Sequence, residues 1–487
     1  MVNHNLALDA KTLAQLEQIP HCDWRATDQI ISKYLSAHTD NGRIYDKAAV
    51  SYLEKLGIDI PPARSEYKKE NLFNEQFFNY WKDPEIRWDR EAFDFAYRNT
   101  RNAFACIGRL KPASLDEVCN EIQLTDKVEK SSGAPLFQRK GEALVKDLGR
   151  AKAIATGRVA PPPCVAYYRT QVGKTRLVWG YPLSMTLLEG TFMIPLMAAL
   201  KKCETPFAMG YTSSGLTGRL ANLSYSPVQY CLDWSKFDST VPARVIAAAF
   251  DILKGHFDFV DETIWQVVTR YFRTCPILMP DLRIYKGRKR GVPSGSWFTQ
   301  LVDSVCNMLL TQYIAYLSHE GIQETLVLGD DAVLAMSKMP DVNIWSDNAE
   351  KLGMVIHPTK QVVTHGHPHF LGHYWGDCFP TRPVEETIQR LATSERFHHF
   401  DSVYEQHEYR IDKAISLAVD NPLAYDLVIG YLAYITHQSK IFIYSTLSKE
   451  SCKGSVHLRG WSKANITVDP RRVGSFKTTI GQQQFRH

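Results

Sequence analysis

The run Leu326-Val327-Leu328-Gly329-Asp330-Asp331-Ala332-Val333-Leu334 sets two adjacent carboxylates at a glycine corner between apolar segments. Runs of Val and Leu of this length fit buried strands, and glycine tolerates the sharp reversal between them. The stretch reads as a β-hairpin carrying Asp330 and Asp331 at its tip. Carboxylates held so close repel each other unless a cation neutralises them. The chemistry on offer is divalent-metal binding. An ordinary acidic turn is the plainer alternative, since Asp is common in turns. A second pair of acids lies earlier. Val228-Gln229-Tyr230-Cys231-Leu232 reads as a short buried strand ending at Asp233, and Asp238 follows five residues on. A carboxylate at the end of a buried strand, beside a chain reversal, stands where α/β sites put reactive groups.

Cations and small polar residues surround these acids in the chain order. Residues 165–182 read as strand, turn, strand around Gly173, with Lys174 and Arg176 two apart on one face and Arg169 in the preceding strand. Three cations on one ribbon can clamp a triphosphate through charge-assisted hydrogen bonds; a solvated basic face is the alternative. Lys130-Ser131-Ser132-Gly133-Ala134-Pro135 opens an irregular loop followed by Arg139 and Lys140. Such a loop can bring backbone N–H groups and hydroxyls to a phosphate, or be a plain surface turn. Gly291-Val292-Pro293-Ser294-Gly295-Ser296 is a second loop, leading into a helix from about residue 297 to 316. Thr299, Asp303 and Asn307 recur every four residues there, one polar stripe on an apolar helix. Buried polar groups need partners, so the stripe is a structural network or a substrate-reading edge. Lys360 follows the short apolar Met354-Val355-Ile356. His365, His367, His369 and His373 cluster beyond it, a zinc-like spacing without Cys or acidic companions.

The elements that must position these groups are legible from pattern. Pro242 opens a helix running towards Gly255, and residues 344–353 form an amphipathic helix. Residues 1 to about 100 are largely helical and rich in aromatics, which at this spacing are packing. From Pro383 to about residue 447 the chain is again helical. A basic tail then carries Lys453, Arg459, Lys463, Arg471, Arg472, Lys477 and Arg486 against Asp469 alone. It either follows a nucleic-acid backbone or is a solvated end. The 487 residues exceed what one core can organise, so two to four packed units are expected. A net charge of +5 favours nucleic acid only where the cations cluster. Ten scattered cysteines without a Cys-x-x-Cys pair argue against a zinc ribbon or a disulfide framework and suggest a reducing compartment. No signal peptide is expected, and the longest apolar stretch noted, 423–435, is too short to cross a bilayer.

The order of these features is more specific than any of them alone. The hydroxyl/Gly/Pro loop, basic ribbon, Asp-x4-Asp, Ser-Gly-x3-Thr, Gly-Asp-Asp and late Lys resemble motifs G, F, A, B, C and D of viral RNA-directed RNA polymerases. Phe370-Leu371-Gly372 with Tyr374 resembles motif E. The resemblance covers about residues 130–375. Lys174-Thr175-Arg176-Leu177-Val178-Trp179-Gly180-Tyr181-Pro182 and Pro293-Ser294-Gly295-Ser296-Trp297-Phe298-Thr299-Gln300 resemble the partitivirus and picobirnavirus branch, whose genomes are segmented double-stranded RNA.

The resemblance implies an α+β, helix-rich right-hand polymerase with an antiparallel palm sheet. Residues 1–100 would join fingers and thumb, 101–225 and 251–295 form fingers, 226–250 and 296–375 palm, and 376–487 thumb and tail. Asp233, Asp330 and Asp331 would be the metal ligands, with Mg²⁺ as cofactor and Mn²⁺ as substitute. Arg169, Lys174 and Arg176 would hold the triphosphate. Lys360 would protonate pyrophosphate. Ser132, Gly133 and Pro135 would meet the RNA template. Ser294, Gly295 and Thr299 would help bind the nucleotide, with Ser294 and the Thr299/Asp303/Asn307 stripe orienting Asp238, whose carboxylate can accept a hydrogen bond from a ribose 2′-hydroxyl. Asn is often four residues after the Thr in the family; here that place holds Asp303, and Asn307 comes one turn later. Asn307 is the expected ribose reader, because Asp238 and Asp303 repel unless one is protonated. RNA template, nascent RNA, ribonucleoside triphosphates and a viral capsid protein are the implied partners, with no membrane. Action inside a virion and in host cytoplasm follows. A positive-strand virus polymerase, a reverse transcriptase and a non-catalytic capsid-associated RNA-binding protein are the alternatives.

Overall fold

The computed structural model of the chain describes residues 45–62, 65–66, 72–124, 128, 130–171, 174–281, 283–376, 379–394 and 402–443. The basic tail and Gly173 lie outside the described residues.

A four-stranded antiparallel sheet stands at the centre. Its order is Val362–Thr364, Val228–Leu232, Asp331–Met336, Ile322–Leu328. Successive side chains on a strand face opposite ways, and two apolar layers exploit this. Val228, Tyr230, Leu232, Val327, Ala332, Leu334 and Met336 join one core. Cys231, Leu326, Val333 and Ala335 join another, closed by Ala208, Leu220, Leu223, Phe370 and Trp375. The strand Val228–Leu232 is therefore buried throughout, with the one polar side chain, Gln229, bonded through its amide to the Ser226 carbonyl and the Gly366 N–H.

Behind the sheet runs the helix Thr299–Leu317, buried from Leu301 to Ala315. It packs on the helix Arg90–Asn102, and Trp88 meets Tyr313 edge-on at 5.4 Å. The N-terminal aromatics do pack, Phe77 against Trp81 and Tyr285 and Tyr80 against Trp179. The helix Leu183–Leu200 is the one helix among the described residues long and apolar enough to cross a membrane. It lies in the main core instead, with Leu183, Leu187, Leu188 and Leu196 fully buried. A second sheet joins Cys164–Gln171 to Lys174–Gly180 in an antiparallel ribbon, extended by Ile277–Leu278 and Ile284–Tyr285.

A separate core unites the two ends of the described chain. Ala49, Tyr52 and Leu53 of Lys47–Lys55 pack with Ile388, Leu391, Ile415, Val428 and Ile429. Asp46 caps that first helix and takes both oxygens to Arg410 Nε, at 2.8 and 3.0 Å. Both side chains are largely shielded from water, so the pair latches the N-terminal helix onto the C-terminal helical unit.

Candidate active site

Sheet register brings the acids of two distant segments together. Leu232 pairs with Ala332 and Leu328 with Asp331. One step along, Asp233 faces the start of the return strand, where Asp331 stands. Gly329 and Asp330 form the two-residue loop between the strands. Gly329 has φ +65°, the left-handed conformation such a hairpin needs at its first loop position. Asp330 thus occupies the tip and Asp331 the first strand position.

Five acids, Asp233, Asp238, Asp303, Asp330 and Asp331, are linked by mutual electrostatic influence. Asp233 and Asp330 are open to solvent, Asp331 and Asp238 half-buried, and Asp303 buried. Protein nevertheless surrounds Asp330, and burial is the largest influence raising its carboxyl. Burial, then the charges of Asp330 and Asp233, push Asp331 up to about 7. Burial and Asp330 push Asp238 up to about 6, with Arg176 pulling the other way. Burial, then Asp238 and Asp330, push Asp303 well above the usual carboxylate range. Asp303 Oδ1 has no hydrogen-bond partner among the described residues. Arg176 is the cation that opposes both Asp238 and Asp330.

The helix Thr299–Leu317 fixes the hairpin tip. Ser304 Oγ accepts from the Gly329 N–H at 2.8 Å. Asn307 Nδ2 donates to the carbonyls of Gly329 and Asp330 at 3.0 and 2.9 Å. Asn307 Oδ1 accepts from Trp234 Nε1 at 3.0 Å. This corrects the expectation that Asn307 reads the ribose. Its amide is fully buried and committed on both sides, tying the residue after Asp233 to the turn that carries Asp330. Asp303 is the member of the stripe whose carboxyl feels the charges of Asp238 and Asp330.

The loop 293–298 is stitched to its neighbours. Ser294 Oγ accepts from the Trp179 N–H at 3.1 Å, and Thr299 Oγ1 donates to the carbonyls of Pro293 and Ser296 at 2.7 and 2.9 Å. Gly295 stays exposed while its backbone presses on strand Lys174–Gly180. A Cβ there would sit 1.9 Å from the Trp179 carbonyl oxygen, so no larger residue fits. Glu189, wholly buried in Leu183–Leu200, holds the loop from behind. It accepts from Tyr181 Oη at 2.6 Å, Ser296 Oγ at 2.7 Å and the Trp297 N–H at 2.7 Å. Burial pushes its carboxyl up to about 7, against the downward pull of those donors. Sequence reasoning passed it over; a lone Glu inside the largely apolar run 183–200 could have flagged it, though not its partners.

Other expected residues fare differently. Arg169 pairs in register with Arg176, and Gln171 with Lys174; the side chains of Arg169 and Lys174 lie outside the described residues. Ser132, Gly133 and Pro135 are buried, which corrects their expected contact with template. The backbone explains it: the Leu183 N–H donates to the Ser132 carbonyl at 2.8 Å, drawing the loop onto the core. Its accessible positions are Lys130, Gln138 and Arg139. Lys360 ends the exposed turn Pro358–Lys360. His365 Nδ1 meets the Pro227 carbonyl at 2.7 Å and His373 Nδ1 that of Leu371 at 3.0 Å, both structural contacts. Among the described residues no group of three His, Cys, Asp or Glu side chains is drawn together tightly enough to cage an ion as it stands.

Comparison with known proteins agrees with this geometry. Residues 166–392 match the family described as viral RNA-dependent RNA polymerase. The chain is 33% identical over 191 residues to the RNA-directed RNA polymerase of Cryptosporidium parvum virus 1 (strain KSU-1), covering 35% of this chain and 35% of that protein. It is 25% identical over 283 residues to that of Atkinsonella hypoxylon virus (isolate 2H), covering 46% and 43%. The match therefore spans less than half the length of these relatives. The crystal structure of the RNA-dependent RNA polymerase of a human picobirnavirus superposes with a TM-score of 0.67 at 17% identity, over 96% of this chain and 98% of that one. The fold is that of a right-hand polymerase, α+β and rich in helix, and the resemblance drawn from motif order is borne out.

Proposed function

We propose that the chain is an RNA-directed RNA polymerase of a double-stranded RNA virus, joining ribonucleotides on an RNA template. The observation that carries this is the meeting of Asp233 and the Asp330–Asp331 corner on adjacent strands, opposite Arg176. The donor set fits divalent cations. It is all carboxylate oxygen, and Asp233, Asp238 and Asp330 each raise the proton affinity of a neighbouring acid. Oxygen-only ligands suit Mg²⁺, with Mn²⁺ able to replace it.

Asp233 and Asp330 would hold the ions, with Asp331 beside them. Such ions supply activation of the attacking 3′-hydroxyl and neutralisation of the departing pyrophosphate. The remaining work belongs to the protein. Arg176, with Arg169 and Lys174 on the same ribbon, binds the triphosphate. Asp238 receives the ribose 2′-hydroxyl, with Asp303 behind it. Lys360 is the proposed proton donor to pyrophosphate. Ser294, Gly295 and Thr299 shape the wall beside the nucleotide. RNA template and product, a viral capsid protein as partner, and action within the virion and host cytoplasm complete the reading.

The test is incorporation of ribonucleotides and deoxyribonucleotides by the purified chain on an RNA template with Mg²⁺. Ribonucleotides should be favoured by at least about a hundredfold, since a site built to bond a hydroxyl rejects the analogue lacking it. Equal use of both sugars, or no template-dependent synthesis, overturns the reading.

A further inference from the structure

Along strand Val362–Thr364 the hydrogen-bond ladder of the central sheet ends at Cys231, two residues before Asp233, and a side chain continues it at Asp233. Strand Val362–Thr364 pairs with Val228–Leu232, and the last pair in this direction is Val362 with Cys231. The main chain then leaves the sheet edge into the turn Pro358–Lys360. Gln361, between turn and strand, fills the place of the missing strand. Its Oε1 accepts from the Asp233 N–H at 3.0 Å, and its Nε2 donates to the Asp233 carbonyl at 2.9 Å. Nε2 also donates to the His357 carbonyl at 3.2 Å, which anchors the amide to the turn. A primary amide offers one acceptor and two donors, and all are used here. Gln361 thus acts as a surrogate peptide group on both backbone groups of Asp233. On the far side Trp234 is held by Asn307, and Trp234 and Ser235 pair with Ile356 and Val355. Asp233 itself depends on Gln361.

We infer that Gln361 is a positioning residue that fixes the direction of the Asp233 carboxylate and so sets how that acid shares divalent ions with Asp330. The inference rests on the polymerase reading of the site. Few side chains can do this. Asn is a methylene too short, Glu turns an acceptor towards the Asp233 carbonyl, and Met has the length but no strong donor or acceptor. Gln361 is only half-buried at the sheet edge, so its replacement leaves the cores intact.

The experiment compares the full chain with its Gln361→Met and Asp233→Asn variants. Bound Mn²⁺ is counted by electron paramagnetic resonance without turnover. Steady-state synthesis is measured across Mg²⁺ and nucleotide concentrations. Gln361→Met should weaken Mn²⁺ binding about tenfold and lower kcat about tenfold or more, since two directed bonds are lost. Added Mg²⁺ should recover part of the rate, while the nucleotide KM and the RNA Kd change less than about twofold. A purely structural residue would leave the Mg²⁺ dependence unmoved. Wild-type Mn²⁺ binding and Mg²⁺ dependence in Gln361→Met, with Asp233→Asn inactive, would overturn the inference alone. Full synthesis by Asp233→Asn would overturn the underlying reading.

Discussion

Replacing Asp330 with Asn should abolish RNA synthesis, by at least about three orders of magnitude, while leaving RNA affinity nearly intact. Asn keeps the shape of the side chain and removes one charge from the position closest to the hairpin tip. The acid's proposed task is to hold ions where negative charge develops, and a neutral amide does that poorly. RNA affinity draws chiefly on cation–phosphate contacts spread over the surface, so one lost carboxylate hardly changes it. Stability gives an internal control. Asp330 raises the proton affinity of Asp331, Asp238 and Asp303, the mark of repulsion among like charges in the folded state. Removing it relieves that repulsion, so the variant should melt no lower than the parent at neutral pH. The measurements are labelled-nucleotide incorporation, filter binding of RNA and a thermal melt. An inactive variant that also melts early would place the effect in folding and not in chemistry.

The second large effect is expected at Asn307. Alanine there leaves three groups without partners, the Trp234 indole N–H and the carbonyls of Gly329 and Asp330. Buried polar groups stripped of partners are destabilising by about 1–3 kcal/mol each, so a loss of about 3 kcal/mol in denaturant unfolding is expected. Synthesis should fall about a hundredfold, because the tip that carries Asp330 loses its tie to the strand that carries Asp233. The preference for ribonucleotides in the residual activity should persist. A ribose-reading Asn307 would behave in the opposite way, with near-normal stability and relaxed sugar choice.

Sequence pattern reveals some of this site and hides the rest for identifiable reasons. The strands around Asp233 and Asp330 are readable because each closes on apolar residues, Tyr230-Cys231-Leu232 and Leu326-Val327-Leu328, ended by an acid or a glycine. Their pairing follows once two apolar layers must be filled. The polar stripe on Thr299–Leu317 is equally visible. Spacing by four shows that Asp303 and Asn307 share a face, but not which partner each meets. Asn307 turned out to bond the hairpin backbone, a contact fixed by tertiary packing alone. Gln361 and Glu189 escape notice for the same reason. Gln361 meets a residue 128 positions away, and Glu189 bonds a loop 107 positions on. No local period encodes such contacts. The loop at 131–135 misleads in the other direction. Its serines and glycine look like surface chemistry, yet the Ser132 carbonyl binds the start of a buried helix and the loop follows it inward. The helix Leu183–Leu200 is mostly apolar on every face, which marks burial without saying what its one acid supports.

The most direct measurement is anomalous scattering from Mn²⁺ in crystals holding the chain, an RNA template–primer and a non-hydrolysable ribonucleoside triphosphate. Two peaks about 3.5–4 Å apart, both in contact with the carboxylates of Asp233 and Asp330, are expected. An ordered nucleotide base-paired to template, with Mn²⁺ bound only at other residues, would contradict the assignment.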